Sequence, residues 1–259
     1  MDEGVTEHFT HQGRTMAYHR HARAADAPAP SRGGRPFLLV HGIGMGRAVY
    51  AELAAELSAH GTVYSVDLPG FGDSPEPQTP LSIPETGDFM AAFICEQQLQ
   101  DPVLVGHSMG GQVVAEIHAR HPELSSTGVL IAPAVNQAER TAARQALRMV
   151  QDLAGESPKV LALGTAQYAK AGPRWFFKKM RQMLDHRIEE SLPHIQADVM
   201  VLRGEKDRVC PRPWTQQITD LLPQGRMEEI PDRGHEAVIR TSQPAAEIIL
   251  NRLRDRQTG

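Results

Sequence analysis

Short apolar runs alternate with amphipathic stretches along most of this chain, and that alternation limits the possible folds more than any other feature. The runs are Phe37-Leu38-Leu39-Val40, Thr62–Val66, Val103–Val105, Val129–Ile131 and Val199-Met200-Val201-Leu202, with a weaker one at Met227–Ile230. Helical patterns at 47–59, 84–99, 110–121, 211–222 and 241–254 separate them. A strand that is apolar at every position is buried on both faces, and parallel neighbours need helical crossovers between them. The pattern therefore predicts a mostly parallel sheet with helices on both faces. Extended stretches at 5–10 and 14–20, joined by Gln12-Gly13, predict an antiparallel hairpin ahead of it. Residues 22–35, rich in Pro, Gly and Ala, read as a connector. At 259 residues the chain suits one α/β domain with a small insertion.

The insertion is visible as a break in the alternation. More than sixty residues of helical character separate Ile131 from Val199, readable as helices over 137–153, 159–170 and 173–190. Pro173 suits the first turn of the last one. This predicts a core of 1–133 and 196–259 with a helical lid over 134–195. Residues 135–195 hold 10 Lys/Arg against 6 Asp/Glu, an excess of four positive charges in a chain of net charge −4. Such charge is more often a solvated helix face than a site for anionic substrates. The overall negative charge argues against a nucleic-acid partner, which needs a basic face. No run of 18 apolar residues exists to span a bilayer. Two cysteines cannot build a disulfide framework, and the start, with Asp2, Glu3 and Glu7, has no apolar signal region. A cytoplasmic location is the expectation. Oligomeric state is left open.

Two glycine-rich turns then compete. His41-Gly42-Ile43-Gly44-Met45-Gly46 follows an apolar run and precedes a helix, the setting of a dinucleotide fingerprint, and Asp67 ends the next run where a ribose-binding acid would sit. The third glycine is missing: Arg47 or Val49 holds that position, depending on the register. The second turn is Gly106-His107-Ser108-Met109-Gly110, again between an apolar strand and a helix. A serine there occupies a strained turn in which a Cβ at either flank would clash, so glycines stand at 106 and 110. The hydroxyl is lifted to a helix N-terminus, where the free N–H of Met109 is able to donate to an oxyanion.

Leu38-Leu39-Val40-His41-Gly42-Ile43-Gly44, Asp67-Leu68-Pro69-Gly70-Phe71-Gly72-Asp73-Ser74, Gly106–Gly110, Arg203-Gly204-Glu205-Lys206-Asp207 through Pro211, and Gly234-His235 together resemble the α/β-hydrolase fold family, in its order and spacing from about residue 35 onward. The resemblance implies a serine hydrolase whose triad runs Ser, acid, His along the chain. Serine is too weak an acid to attack unaided and needs a base poised near neutrality, which histidine supplies. Of twelve histidines, His235 matches the family position. The family position of the carboxylate that orients this imidazole is Asp207, with Asp198, Asp220 and Asp232 as rivals. The second oxyanion donor is then the backbone N–H of Ile43. His41 reads as a brace for that loop more than as a base, and His41 and Gly42 are candidates for lining the pocket.

In the lid, Phe176, Met180, Met183 and Leu184 fall on one helical face beside Trp175. Packing onto the core is the plainer reading; a cap on an apolar acyl pocket is the sharper one, with Trp175, Phe176 and Met180 as its candidates. Cys95 falls in a helix and is expected to be buried, and Cys210, with no base beside it, is expected to be structural. His8, His11, His19 and His21 crowd the first hairpin, but no Cys or carboxylate completes a metal site there. The implied function is hydrolysis of a carboxylic ester or related acyl bond of a small, fairly apolar molecule, through an acyl-enzyme and without metal or cofactor. Lactonase, carbon–carbon bond hydrolase and perhydrolase activities use the same triad on this scaffold, and a ligand receptor derived from it is a further alternative.

Overall fold

A computed structural model describes residues 5–23, 34–153, 173–238 and 242–258. Eight strands form one sheet: β1 (Thr6–His11), β2 (Arg14–His21), β3 (Phe37–Val40), β4 (Val63–Asp67), β5 (Val103–His107), β6 (Thr127–Ile131), β7 (Asp198–Gly204) and β8 (Gly225–Ile230). Their order across the sheet is β1-β2-β4-β3-β5-β6-β7-β8. The β1–β2 hairpin is antiparallel and joins β4 antiparallel, while β4 through β8 are parallel to one another. Every residue of β3, β4, β5, β6 and β7 is buried. Successive side chains of a strand point to opposite faces, so both faces of this sheet are covered.

The helices among the described residues are α1 (Ala51–Ser58), α2 (Ile83–Glu96), α3 (Met109–Arg120), α4 (Ala142–Leu153), α5 (Pro173–Asp185), α6 (Ile188–Ser191), α7 (Arg212–Leu221) and α8 (Gln243–Thr258). Ser82 starts α2 with a capping box: its Oγ accepts from Glu85 N at 3.3 Å, and its own N–H donates to Glu85 Oε2 at 2.8 Å. The expected 47–59 helix opens as a single 3-10 turn, Arg47–Tyr50, before α1. The expected 137–153 helix likewise opens with Gln137–Glu139, capped by the Asn136 side chain. The 159–170 helix lies outside the described residues.

One expected helix is two. The 173–190 stretch breaks between α5 and α6 because His186 turns inward, its Nε2 bonding Glu116 Oε1 on α3 at 2.9 Å. Arg140 then takes up the carbonyl of His186 that the broken helix leaves free. Cys95 also departs from expectation. It sits next to the end of α2 on its solvent side and is exposed.

Strand order reverses direction at β3 and β5. From β3 the chain moves outward to β4, and from β5 it moves the opposite way to β6. Loops leaving two such strands diverge, opening a crevice at their carboxyl ends, the usual place for a ligand in an open α/β sheet. Both glycine-rich turns leave from there, with Val40 paired to Gly106 in the last register of β3 and β5.

Candidate active site

Ser108 stands between the end of β5 and the start of α3, at φ 53° and ψ −115°. This left-handed backbone is costly for a residue with a Cβ and persists only where the surroundings enforce it. Enforcement is visible on each side. Ser108 N donates to Ile131 O at 2.8 Å, and Ser108 O accepts from Gly111 N at 3.0 Å. A Cβ on Gly106 would strike the carbonyl of Gly110, and one on Gly110 would strike the carbonyl of Val40. The turn is thus packed too tightly for any residue but glycine at both flanks.

The loop after β3 presses on this elbow. A Cβ on Gly42 would stand 3.2 Å from Ser108 Cβ and 3.3 Å from His107 Nδ1. Ile43 follows Gly42 and is buried; Met109 is the first residue of α3, so its N–H has no carbonyl one helical turn behind it. His41 is fully buried with both nitrogens engaged. Its Nδ1 donates to Gly42 O at 2.7 Å, and its Nε2 accepts from Leu68 N at 2.9 Å. Burial holds the imidazole below its ordinary pKa against the pull of Asp67, which fits the neutral form those two bonds require.

Asp207 and His235 meet across the ends of β7 and β8. His235 Nδ1 donates to Asp207 Oδ2 at 3.0 Å, and both side chains are almost wholly removed from water. Asp207 Oδ1 accepts from Val209 N at 2.8 Å and Cys210 N at 2.7 Å, which fixes the carboxylate and leaves Oδ2 for the imidazole. Burial alone would pull the His235 pKa down. The charge and hydrogen bond of Asp207, with smaller help from Glu236 and Asp152, outweigh it, so the imidazole is held above its ordinary value.

His107 joins this pair to the elbow. Its Nε2 donates to His235 O at 2.9 Å, and the two rings lie 5.0 Å apart. Burial first, and the neighbouring His235 second, push His107 down to about 3, so it is the neutral Nε2–H tautomer near pH 7. No hydrogen bond joins Ser108 Oγ to His235 among the described residues. Such bonds are often long in an unliganded site and tighten when substrate binds.

The profile of the alpha/beta hydrolase family matches residues 37–249. The chain belongs to the alpha/beta hydrolase family. It is similar to the AB hydrolase superfamily protein YisY of Bacillus subtilis, 26% identical over 230 residues that cover 79% of this chain and 86% of that one. It is also similar to the pimeloyl-[acyl-carrier protein] methyl ester esterase of Vibrio cholerae, 27% identical over 73% of this chain and 83% of that one. Among solved structures, the enol-lactonase of Burkholderia xenovorans LB400 superposes with a TM-score of 0.80 at 19% identity, covering 96% of this chain and all (100%) of that one, a likeness of fold.

Within this α/β-hydrolase the rival acids are engaged elsewhere. Asp232 pairs with Lys206 at 2.8 Å at the surface, Asp198 pairs with Arg252, and Asp220 is exposed and bonded to Gln216. Asp67, the ribose-acid candidate, spends both oxygens on Arg47 and on Asp73 N. Cys210 is buried, its thiol pushed up by burial and by Asp207, with Thr215 Oγ1 3.3 Å away. Of the lid candidates, Trp175 is buried against Gly70, where a Cβ would overlap the indole, and Phe176 and Met180 are half-buried against the core. Ser108, Gly42, His107, His235 and Asp207 are therefore drawn together, while Trp175 is tied to the turn after β4.

Three residues of this site escape a reading of the sequence. Arg203 is the next-to-last residue of β7, and its guanidinium donates to the carbonyls of Cys210 at 3.0 Å and Asp207 at 3.0 Å, bracing the loop that carries Asp207. An arginine inside an otherwise apolar run was the available signal. His107 carried one in its place beside Ser108. Asp152 on α4 carried none.

Proposed function

We propose that this α/β-hydrolase cleaves a carboxylic ester or a related acyl bond, such as a lactone, of a small and fairly apolar molecule through Ser108, His235 and Asp207. The observation that carries the reading is the buried Asp207–His235 hydrogen bond, set beside a serine at φ 53° on a helix N-terminus. With Nδ1–H committed to Asp207, the neutral form of His235, which is the reactive one, carries its lone pair on Nε2. It takes the hydroxyl proton as Ser108 Oγ attacks the acyl carbon. The amides of Ile43 and Met109 receive the oxyanion, which is stabilised by dipoles already in place. The imidazolium returns its proton to the leaving alcohol as the bond to it breaks. A water, deprotonated by His235, then releases the acid from the acyl-serine. The lid over 134–195 would cover the acyl group, with Trp175, Phe176 and Met180 on its inner side and His41 and Gly42 opposite. Esterase names among the relatives support the reaction class.

The test is hydrolysis of p-nitrophenyl esters from acetate to dodecanoate, and of simple lactones, by the wild type and Ser108→Ala. Turnover that the substitution lowers by several orders of magnitude is expected. Wild-type turnover unaffected by Ser108→Ala would remove the serine from the mechanism.

A further inference from the structure

We infer that Asp152, a lid-segment carboxylate, is a positioning residue that locks the acid loop to the base loop. The inference rests on the triad reading above. Asp152 lies at the end of α4, and 7% of its surface is exposed. Each oxygen accepts one backbone N–H: Oδ2 from His235 at 2.7 Å and Oδ1 from Arg208 at 2.9 Å. Arg208 is the residue after Asp207. One side chain thus holds the main chain at the base and the main chain next to the acid, two points 27 positions apart in sequence.

The peptide of His235 is then gripped from both sides. Its N–H goes to Asp152 and its C=O accepts from His107 at 2.9 Å. With the side chain tied to Asp207, the imidazole has little freedom left to swing away from Ser108. A carboxylate is the group best suited to this place, since it alone presents two acceptors 2 Å or so apart with charge-assisted strength. Its position on α4 adds a consequence. A displacement of α4 relative to the sheet pulls on both loops together.

The charged and titratable groups facing His235 are Asp207 from the loop after β7, Glu236 beside it in the chain, Asp152 from α4 and neutral His107 from β5. Those facing Asp152 are Asp207 and His235. Asp152 therefore also favours the imidazolium, as the smallest of the three carboxylates acting on it.

The experiment compares wild type with D152N and D152A on p-nitrophenyl butyrate across pH. Asparagine keeps one acceptor but turns an N–H donor toward the second amide, so one bond is lost and the charge with it. Misplacement of a catalytic group is expected to lower kcat about 10- to 100-fold with KM little changed, and the acid limb of kcat/KM should move to lower pH. A lowered melting temperature with kcat and pH profile unchanged would make Asp152 merely structural and overturn the inference. Amide hydrogen exchange on the wild type decides independently of how the variants fold: His235 and Arg208 should be protected, and solvent-like exchange at both would overturn it. Failure of the triad reading shows differently, as a wild type inactive on every ester.

Discussion

Replacing Ser108 by glycine should stabilise the protein while abolishing its activity, and alanine should abolish activity without that gain. The backbone at Ser108, φ 53° and ψ −115°, is a strained conformation for any residue bearing a Cβ. Such strain costs about 1–3 kcal/mol. Glycine relieves it but gives up about 0.5–1 kcal/mol to the greater freedom of the unfolded chain. The difference between Ser108→Gly and Ser108→Ala is thus expected at about 1 kcal/mol in favour of glycine. For a chain of this length that is roughly 2–4 °C in Tm. Alanine is the proper reference because it loses the hydroxyl and keeps the strain. Urea unfolding at pH 7, with the slopes of both variants compared, reads the difference directly. Should Ser108→Gly be the less stable of the two, the elbow is not strained and the account of why serine is presented there fails.

Further substitutions probe the charges around that elbow. Asp207→Asn should lower kcat by about 10⁴-fold, as expected when the orienting carboxylate of a triad is neutralised, and should shift the acid limb of kcat/KM to lower pH because a charge favouring the imidazolium is gone; a limb that stays put contradicts the assignment. Arg47, whose guanidinium is buried between Asp67 and Asp73, leaves Asp67 unpaired when replaced by alanine, and thermal and urea unfolding should show a loss of about 3–5 kcal/mol. Lys179 on α5 donates to Leu81 O at 2.8 Å, and burial pushes its pKa down to about 8, only partly opposed by Glu85. Between about pH 8 and 10.5 the unfolded chain binds more protons there than the folded one, so this group adds stability as pH rises. Wild type should gain on Lys179→Met over that window in parallel denaturation series, and a difference between the two that does not change with pH would show that burial does not depress this lysine.

The sheet and the elbow were readable because each rests on local constraints. Every residue of β5 is apolar up to Gly106, and Gly106 and Gly110 announce a turn that no side chain fits. The meeting of Asp207 and His235 was readable only through the resemblance to the α/β-hydrolase family, since 28 positions of chain separate them and nothing local joins them. The supports of the site were not readable for the same reason. Asp152 is one polar residue of an amphipathic helix, and its meaning comes from two amides 56 and 83 residues away. The break of the 173–190 helix likewise follows from Glu116 on another element, which draws His186 inward against local helical preference. Cys95 was misjudged because position within a helix does not tell which face it occupies when the apolar stripe is wide.

The central claim is that Ser108 is the nucleophile, activated by His235. The most direct measurement is reaction with a fluorophosphonate followed by intact mass and peptide mapping of wild type, Ser108→Ala and His235→Ala. The account predicts a single adduct on Ser108 in the wild type, none in Ser108→Ala, and labelling slowed by orders of magnitude in His235→Ala. An adduct at another residue, or labelling of Ser108 that His235→Ala leaves equally fast, would contradict it.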